Sequence, residues 1–378
     1  MPASDVFIVS AVRSAIGIGK PTGALAHYQP VELAATLMRA AVSRAGLEAG
    51  RLEDVIWGVV TPLGDQGGNL ARLAALKAGF PVSVGGVSIN RMCGSGQQAI
   101  HFAAQAILAG DADILLAGGS EMMSHQPLGA DYPPAWPEVG HELLHQGESA
   151  ERIAQAWNLT RAQLDDFAAQ SHQRAAAAAD AGYFESQILP LPLPDGTLFK
   201  EDQGLRRNFD REKMARLKPV FRAEGLLTAG NSSQISDGAA ALVLASQKAV
   251  GLLNLSPLAR IETRVVTGSD PTLMLTGTIP ATQMALRRSG LSLNEMDVIE
   301  INEAFAPVVL AWASELQPDM SKVNPNGGAI AHGHPLGATG AILMTKLVYE
   351  LERRKARYGL QTMCIGHGQA TATIIERV

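Results

Sequence analysis

The sequence predicts an α/β protein of two similar halves with a loop domain inserted between them. Three observations carry this. Short Val/Ile runs alternate with helical patterns, as α/β folds require. The order strand, glycine turn, apolar helix, strand occurs twice. The residues between the two occurrences follow neither pattern. The expected division is 1–119 with 238–251 for the first half, 120–237 for the insertion, and 252–378 for the second half.

Taken in order, "GLEAGRLEDVIWGVV" (46–60) pairs with "GLSLNEMDVIEINEA" (290–304). Each follows an amphipathic helix, "VELAATLMRAAVSRA" in one case and "PATQMALRRS" in the other, and each reads as a turn followed by a strand. Downstream, "GGVSINRMCGSGQQAIHFAAQAILAGDADILLAGGSE" has the same order of elements as "KVNPNGGAIAHGHPLGATGAILMTKLVYELERRKARYGLQTMCIGHG". Helices at roughly 94–109 and 338–352 are apolar over a wide face, which predicts burial. The insertion holds the proline cluster "HQPLGADYPPAWPEVG" and two helical patterns. Thr160 and Gln163 form a capping-box pattern at the start of the second of these. Loops on a rigid scaffold often carry recognition, so the insertion is the expected place for it.

Composition excludes several classes. The chain is 47% apolar and 18% charged, enough for large cores and too apolar for disorder. A net charge of −5 without a basic stripe argues against nucleic acid. The cluster "ERRKAR" (352–357) reads as a solvated helix end. No apolar run approaches the roughly 18–20 residues that span a bilayer, and "DGAAALVLAS" (237–246) reads as a buried strand. The first residues lack the pattern of a secretory signal, and two cysteines make no disulfide framework. A cytoplasmic, reducing setting is expected.

The two cysteines each stand beside glycines. Cys93, in "RMCGSG", follows a strand and opens a helix, where the dipole and free backbone N–H groups favour a thiolate. A small buried core residue is the competing reading. "NPNGGAIAHGHPLGATG" (324–340) is the matching turn of the second half, with His332 and His334 two apart. A metal site, a phosphate-cradling loop and a general base compete there, and neither metal spacing nor a phosphate-loop motif is well formed. Asn302 and Glu303 end an apolar strand, where polar groups need partners. In "CIGHG", Cys364 is core or chemistry, and Gly366 offers a backbone N–H of the kind that builds an oxyanion hole.

Together these stretches resemble the thiolases, acyl-CoA:acetyl-CoA C-acyltransferases, along nearly the whole chain. "NRMCGSG", "AGGSEMMS", "TAGNSSQISDGAAALVLAS", "NEAFA", "GGAIAHGHPLGATG" and "CIGHG" occur in family order. The resemblance implies a five-layered α-β-α-β-α core. It implies Cys93 as the acylated nucleophile, His334 as its base, Cys364 as a second acid/base and Asn302 as the holder of an ordered water. It also implies that the N–H groups of Cys93 and Gly366 face the acyl-enzyme oxygen, and that His334 and the Asn302 water face the thioester enolate. His145, Arg206 and Ser233 fall where the family contacts coenzyme A, and Met274 and Phe305 near its acyl pocket. The implied substrates are acyl-CoA, acetyl-CoA and CoA, with no metal and no other cofactor, in a homodimer or homotetramer; the low charge and apolar "DGAAALVLAS" fit such an assembly. Three residues depart from the family pattern: His367 where glycine is frequent, Gln97 where leucine is common, and Gln146 beside His145 where methionine is common. They bear on substrate length rather than reaction type. A ketoacyl-synthase-type enzyme, which lacks the second cysteine, and a silent CoA-binding homologue are the alternatives.

Overall fold

The expected duplication is visible in the order of the strands. The computed structural model describes residues 5–378. Nine strands form one continuous path: β1 (Val6–Ser14), β2 (Asp54–Gly58), β3 (Val87–Ile89), β4 (Ile114–Met122), β5 (Ser236–Ser246), β6 (Ala259–Gly268), β7 (Val298–Ile301), β8 (Tyr358–Ile365) and β9 (Gln369–Arg377). Their spatial order is β7-β8-β9-β6-β1-β5-β4-β2-β3. Cut between β6 and β1, the path is one half-sheet repeated. The order β1-β5-β4-β2-β3 is matched by β6-β9-β8-β7, with Val323 bridging Ile299 where β3 lies beside β2. In each half the second strand runs antiparallel to both neighbours, and the pairs beyond it are parallel. The halves join at Phe7 with Arg260 and Ile8 with Ala259.

The longer helices are α1 (Pro30–Arg44), α2 (Leu70–Lys77), α3 (Ser95–Ala109), α4 (Gln146–Ala156), α5 (Arg161–Asp180), α6 (Thr278–Ser289), α7 (Ala306–Leu316) and α8 (Leu336–Arg354). Apolar cores lie between the five layers. Leu33 and Leu37 of α1 and Leu70 of α2 pack on Val243 and Val55 of the first half-sheet. Ile100 and Ala104 of α3 and Ile342 and Leu347 of α8 fill the space between Leu115 and Leu242 on one side and Ile375 and Val298 on the other. Ala281 of α6 and Trp312 of α7 cover the outer face of the second half-sheet at Val265 and Ile374. Along β5 the period of two is strict: Ala239, Ala241 and Val243 face the outer core, and Ala240, Leu242 and Leu244 the central one. This strand, "DGAAALVLAS", is buried throughout between β1 and β4, so its apolarity is accounted for inside the chain and says nothing of an assembly.

The central helices touch through glycine. A Cβ on Gly340 would lie 2.2 Å from the Gln97 backbone nitrogen, and one on Gly96 would lie 2.8 Å from the Ala341 nitrogen and the Gly337 oxygen. Gln97, at this crossing, is fully buried and satisfied: its amide nitrogen donates to Thr373 Oγ1 at 2.6 Å, and its oxygen accepts from Thr371 Oγ1 at 2.7 Å. Its place is the floor between α3 and the second half-sheet.

The halves differ in one connection. Residues 366–368 join β8 to β9, whereas residues 123–235 join β4 to β5. This long stretch contains α4 and α5, packed through Ile153, Leu164 and Phe167 into the core that α7 shares. Thr160 caps α5 with the reciprocal Gln163 contact that the sequence predicts. Among the described residues no helix is long and apolar enough to cross a membrane.

Gly340→Ala tests the central crossing. The added methyl would meet the backbone and Cβ of Gln97, so the expected loss is about 1–3 kcal/mol of stability in urea unfolding; an unchanged unfolding midpoint would show that the helices have slack there.

Candidate active site

The starts of α3 and α8 meet where β8 ends, and that meeting makes the site. Cys93 lies in the turn between β3 and α3, with Met92 before it in the left-handed region at φ 45°. The Cys93 N–H, the Gly366 N–H and the Gln146 side-chain amide are directed at its sulfur. Burial nevertheless dominates and pushes the thiol up to about 11, so in the free protein it is protonated at neutral pH.

His334 lies in the turn before α8. Its backbone N–H donates to the Gln234 carbonyl at 3.1 Å and to Ser236 Oγ at 3.2 Å. The Thr339 hydroxyl donates to the Pro335 carbonyl at 3.1 Å and stands 2.6 Å from His334 Nδ1. That hydroxyl has one proton, already used, so it accepts from Nδ1–H. Nε2 then carries a lone pair, and the Asn302 amide nitrogen lies 3.4 Å from it. Burial pulls the ring down to about 4, so it is a neutral base at pH 7.

Asn302 links the base to the second thiol. Its amide nitrogen is 3.9 Å from Cys364 Sγ, and its oxygen is buried with no hydrogen-bond partner among the described residues. Glu303 beside it is the opposite case. It accepts from Ser171 Oγ at 2.6 Å, Asn324 Nδ2 at 2.8 Å and the Ile330 N–H at 3.2 Å, which makes it structural. Cys364, at the end of β8, is pushed up to about 12 by burial first and by Cys93 second. His332 takes no part: Nδ1 bonds Asp202 at 2.8 Å, Nε2 faces the Asn326 carbonyl at 2.9 Å, and Asp202 also holds buried Arg13 at 2.7 Å. The two histidines therefore diverge, which disposes of a His332–His334 metal pair.

Two cavities lie beside this centre, and the first of them touches His334. One, of about 250 Å³, is lined by His334, Ser233, Phe305, Phe221, His145 and Gln146. The other, of about 310 Å³, is lined by Tyr132, Trp136, His367, Met274, His145 and Gln146. His145 and Gln146, at the start of α4, are their common wall. Met274 and Phe305, expected together, lie in different cavities. Arg206 lines neither; it is exposed at a third surface cavity with Lys213 and Phe209. Three contributors escape a reading of the sequence, and a fourth, Gln146, does more than that reading implies. Thr339 sets the tautomer. Gln146 reaches the sulfur rather than merely forming a wall. Glu121 accepts from the Val60, Thr61 and Gly337 N–H groups at 2.8, 3.1 and 3.0 Å and so fixes the start of α8. Trp136 binds His367. The aromatic residues of "ADYPPAW" were the only signal for the last.

Comparison with known proteins bears on all of this. Residues 6–248 match the model of the thiolase N-terminal domain, and residues 255–377 that of the thiolase C-terminal domain. The chain is 47% identical to the steroid 3-ketoacyl-CoA thiolase FadA6 of Mycobacterium tuberculosis over 99% of this chain and 95% of that one. It is 44% identical to a 3-ketoacyl-CoA thiolase of Vibrio vulnificus over 99% of both. Among solved structures it is similar to human mitochondrial 3-ketoacyl-CoA thiolase in complex with CoA, with 37% identity, a TM-score of 0.91, and coverage of 100% of this chain and 98% of that one.

Two measurements test the electrostatics. Burial holds His334 at about 4, His172 at about 4 and His101 at about 3. Each ring is neutral when folded and takes up a proton when unfolded below about pH 6.5. A depressed folded pKa gives stability that is full above the unfolded value and is lost as pH falls toward the folded one. The stability measured in urea should therefore fall from pH 6.5 to pH 4, by about 1.4 kcal/mol per pH unit for each ring, offset in part by Glu300, whose carboxyl burial raises to about 7 so that it takes up a proton in the folded state first; a flat profile would contradict the buried neutral rings. Thr339→Val should slow alkylation of Cys93 by iodoacetamide at least about tenfold, because the imidazole loses the acceptor that holds its tautomer; an unaltered rate would remove Thr339 from the site.

Proposed function

The chain belongs to the thiolase family, and from that premise we propose how its residues carry out the family reaction. It is a CoA-dependent acyltransferase that cleaves a 3-oxoacyl-CoA with CoA to an acyl-CoA and acetyl-CoA, or runs the reverse condensation. The observation that carries the residue roles is the line His334–Asn302–Cys364 beside Cys93: a neutral base with its lone pair on Nε2, and two thiols in one buried pocket.

In cleavage, His334 Nε2 takes the Cys93 proton and the thiolate attacks the 3-oxo carbon. The new oxyanion lies toward the Cys93 and Gly366 N–H groups, which already point at the sulfur. The bond between C2 and C3 breaks, and its electron pair becomes the enolate of acetyl-CoA. Asn302, whose free oxygen supports its role as holder of an ordered water, and His334 face that enolate. Cys364 gives its proton to C2, and acetyl-CoA leaves. The Cys364 thiolate then takes the proton of incoming CoA, whose sulfur attacks the acyl thioester. The bond to Cys93 breaks, and Cys93 recovers its proton from His334. Each N–H donor contributes on the order of 3 kcal/mol of barrier reduction in such sites.

The names of the relatives share one substrate class, 3-ketoacyl-CoA thioesters, and this is the class we assign. His145, Ser233 and Phe305 line the cavity that ends at His334 and are proposed to hold the pantetheine arm; Arg206, at its separate exposed cavity, is proposed for the nucleotide end. The insertion is thus proposed as the CoA-binding loop domain. The steps use only these side chains, CoA and its thioesters, and we assign no further cofactor. Unbridged Cys93 and Cys364 support a reducing, cytoplasmic setting. Exposed Val82, Val87, Leu73 and Leu76 near the edge strand β3 support a homodimer or homotetramer.

Thiolysis of acetoacetyl-CoA tests the roles. Cys93→Ala should abolish turnover while retaining CoA binding in calorimetry, and Cys364→Ala should lower kcat by roughly 10²–10⁴-fold. Full turnover in Cys93→Ala would sink the assignment of the nucleophile. A wild-type protein that binds CoA but turns over no ester would instead be a silent homologue.

A further inference from the structure

His367 is the residue of the site whose presence the reaction does not explain. It occupies the middle of the three-residue connection 366–368, in the left-handed region at φ 63°, where glycine would sit without strain. Its neighbour Gly366 directs an N–H at Cys93, and Tyr132 of the same cavity lies close enough to interact with Cys93, so the cavity beside residue 367 adjoins an acyl group carried on that cysteine. The ring is held in place by a residue of the long 123–235 connection. Trp136 Nε1 donates to His367 Nε2 at 2.9 Å. Trp136 is stacked on Tyr132, with ring centroids 5.2 Å apart and an interplanar angle of 16°, and the pair forms one flat wall. Both rings and His367 line the cavity of about 310 Å³ that Gln146 separates from the channel to His334.

The hydrogen bond sets what His367 can offer. With Nε2 accepting, the neutral ring carries its proton on Nδ1, and Nδ1 has no hydrogen-bond partner among the described residues. Burial lowers the ring's pKa, so this is a neutral donor. The nearby Asp131 carboxylate and the absence of any Lys or Arg among the residues lining the cavity disfavour an anionic group. The remaining wall is aliphatic, from Leu128, Leu144 and Met274. A flat aromatic face and one donor in an apolar slot fit a cyclic group with a neutral acceptor better than a flexible alkyl chain, which leaves the donor unpaired.

We propose that His367, fixed by Trp136, is the specificity-determining donor of this cavity, and that it selects 3-oxoacyl groups bearing a ring with a ketone or hydroxyl over plain alkyl chains. The inference rests on the thioester-cleaving reading above and names the substrate class within it.

The test compares kcat/KM for thiolysis of three CoA thioesters of similar size. Their 3-oxoacyl chains end in n-hexyl, cyclohexyl and 4-oxocyclohexyl, and acetoacetyl-CoA serves as the reference. The wild-type protein should prefer the 4-oxocyclohexyl ester over the cyclohexyl ester by about tenfold, the effect of one satisfied hydrogen bond. His367→Gly, which removes the donor and suits the backbone, should bring that ratio to about one. His367→Asn tolerates the same backbone and keeps a donor, so it should retain part of the preference. Trp136→Phe keeps the flat wall but frees the ring, and should reduce the ratio. Turnover of acetoacetyl-CoA by the wild-type protein with equal rates on the cyclic esters, or a ratio unchanged in His367→Gly, would overturn the proposal alone. No turnover of any ester would overturn the reaction assignment and the proposal with it.

Discussion

The close approach of α3 and α8 is the constraint on which the rest depends. Each helix begins in a turn that carries one half of the proposed chemistry, Cys93 on the first and His334 on the second. Those turns meet only because Gly96 and Gly340 let the backbones touch. The remaining layers follow. Two half-sheets must cover the two faces of this helical pair, and outer helices must cover the sheets. Duplication supplies that arrangement directly, since each half brings one central helix, one sheet and one outer cover. The halves then diverge at one point, the connection between their equivalent strands. It is three residues in the second half and the whole insertion in the first. Both connections end up over Cys93, Gly366 from one and Gln146 from the other.

Burial decides the resting charge state. Both thiols are pushed up and the imidazole is pulled down, so the free site is a set of neutral groups. A resting thiolate–imidazolium pair would need charge stabilisation that this pocket does not provide. In the reaction we propose, charge instead arises at places where fixed donors are already aimed: the N–H groups of Cys93 and Gly366 at the sulfur, and the Asn302 amide between His334 and Cys364. Preorganised donors in an apolar setting act on developing charge without reorganising, which is the economical way to run both directions of a carbon–carbon bond reaction.

Much of this was legible in the sequence. The layered fold was readable because the duplication repeats a pattern of local periods, and local periods survive in sequence. Cys93, His334, Asn302 and Cys364 stood out because glycine turns at strand ends are locally recognisable. What was not legible depends on contacts between distant segments. His332 and His334 look alike two residues apart, yet Asp202 claims the first, and only the fold brings Asp202 there. Gln97 found its partners on β9, far along the chain. His367 was ambiguous until Trp136, in the insertion, was seen to hold it. Met274 and Phe305 were expected together, and Arg206 with the other CoA contacts; a shared type of neighbour in sequence carries no information about which cavity a side chain enters.

The most direct test is mass spectrometry of the intact protein after brief exposure to acetoacetyl-CoA without CoA, followed by peptide mapping. The account predicts an acetyl adduct on Cys93 that disappears when CoA is added. An adduct on Cys364, or none on either cysteine in a protein that still turns over the ester, would contradict it.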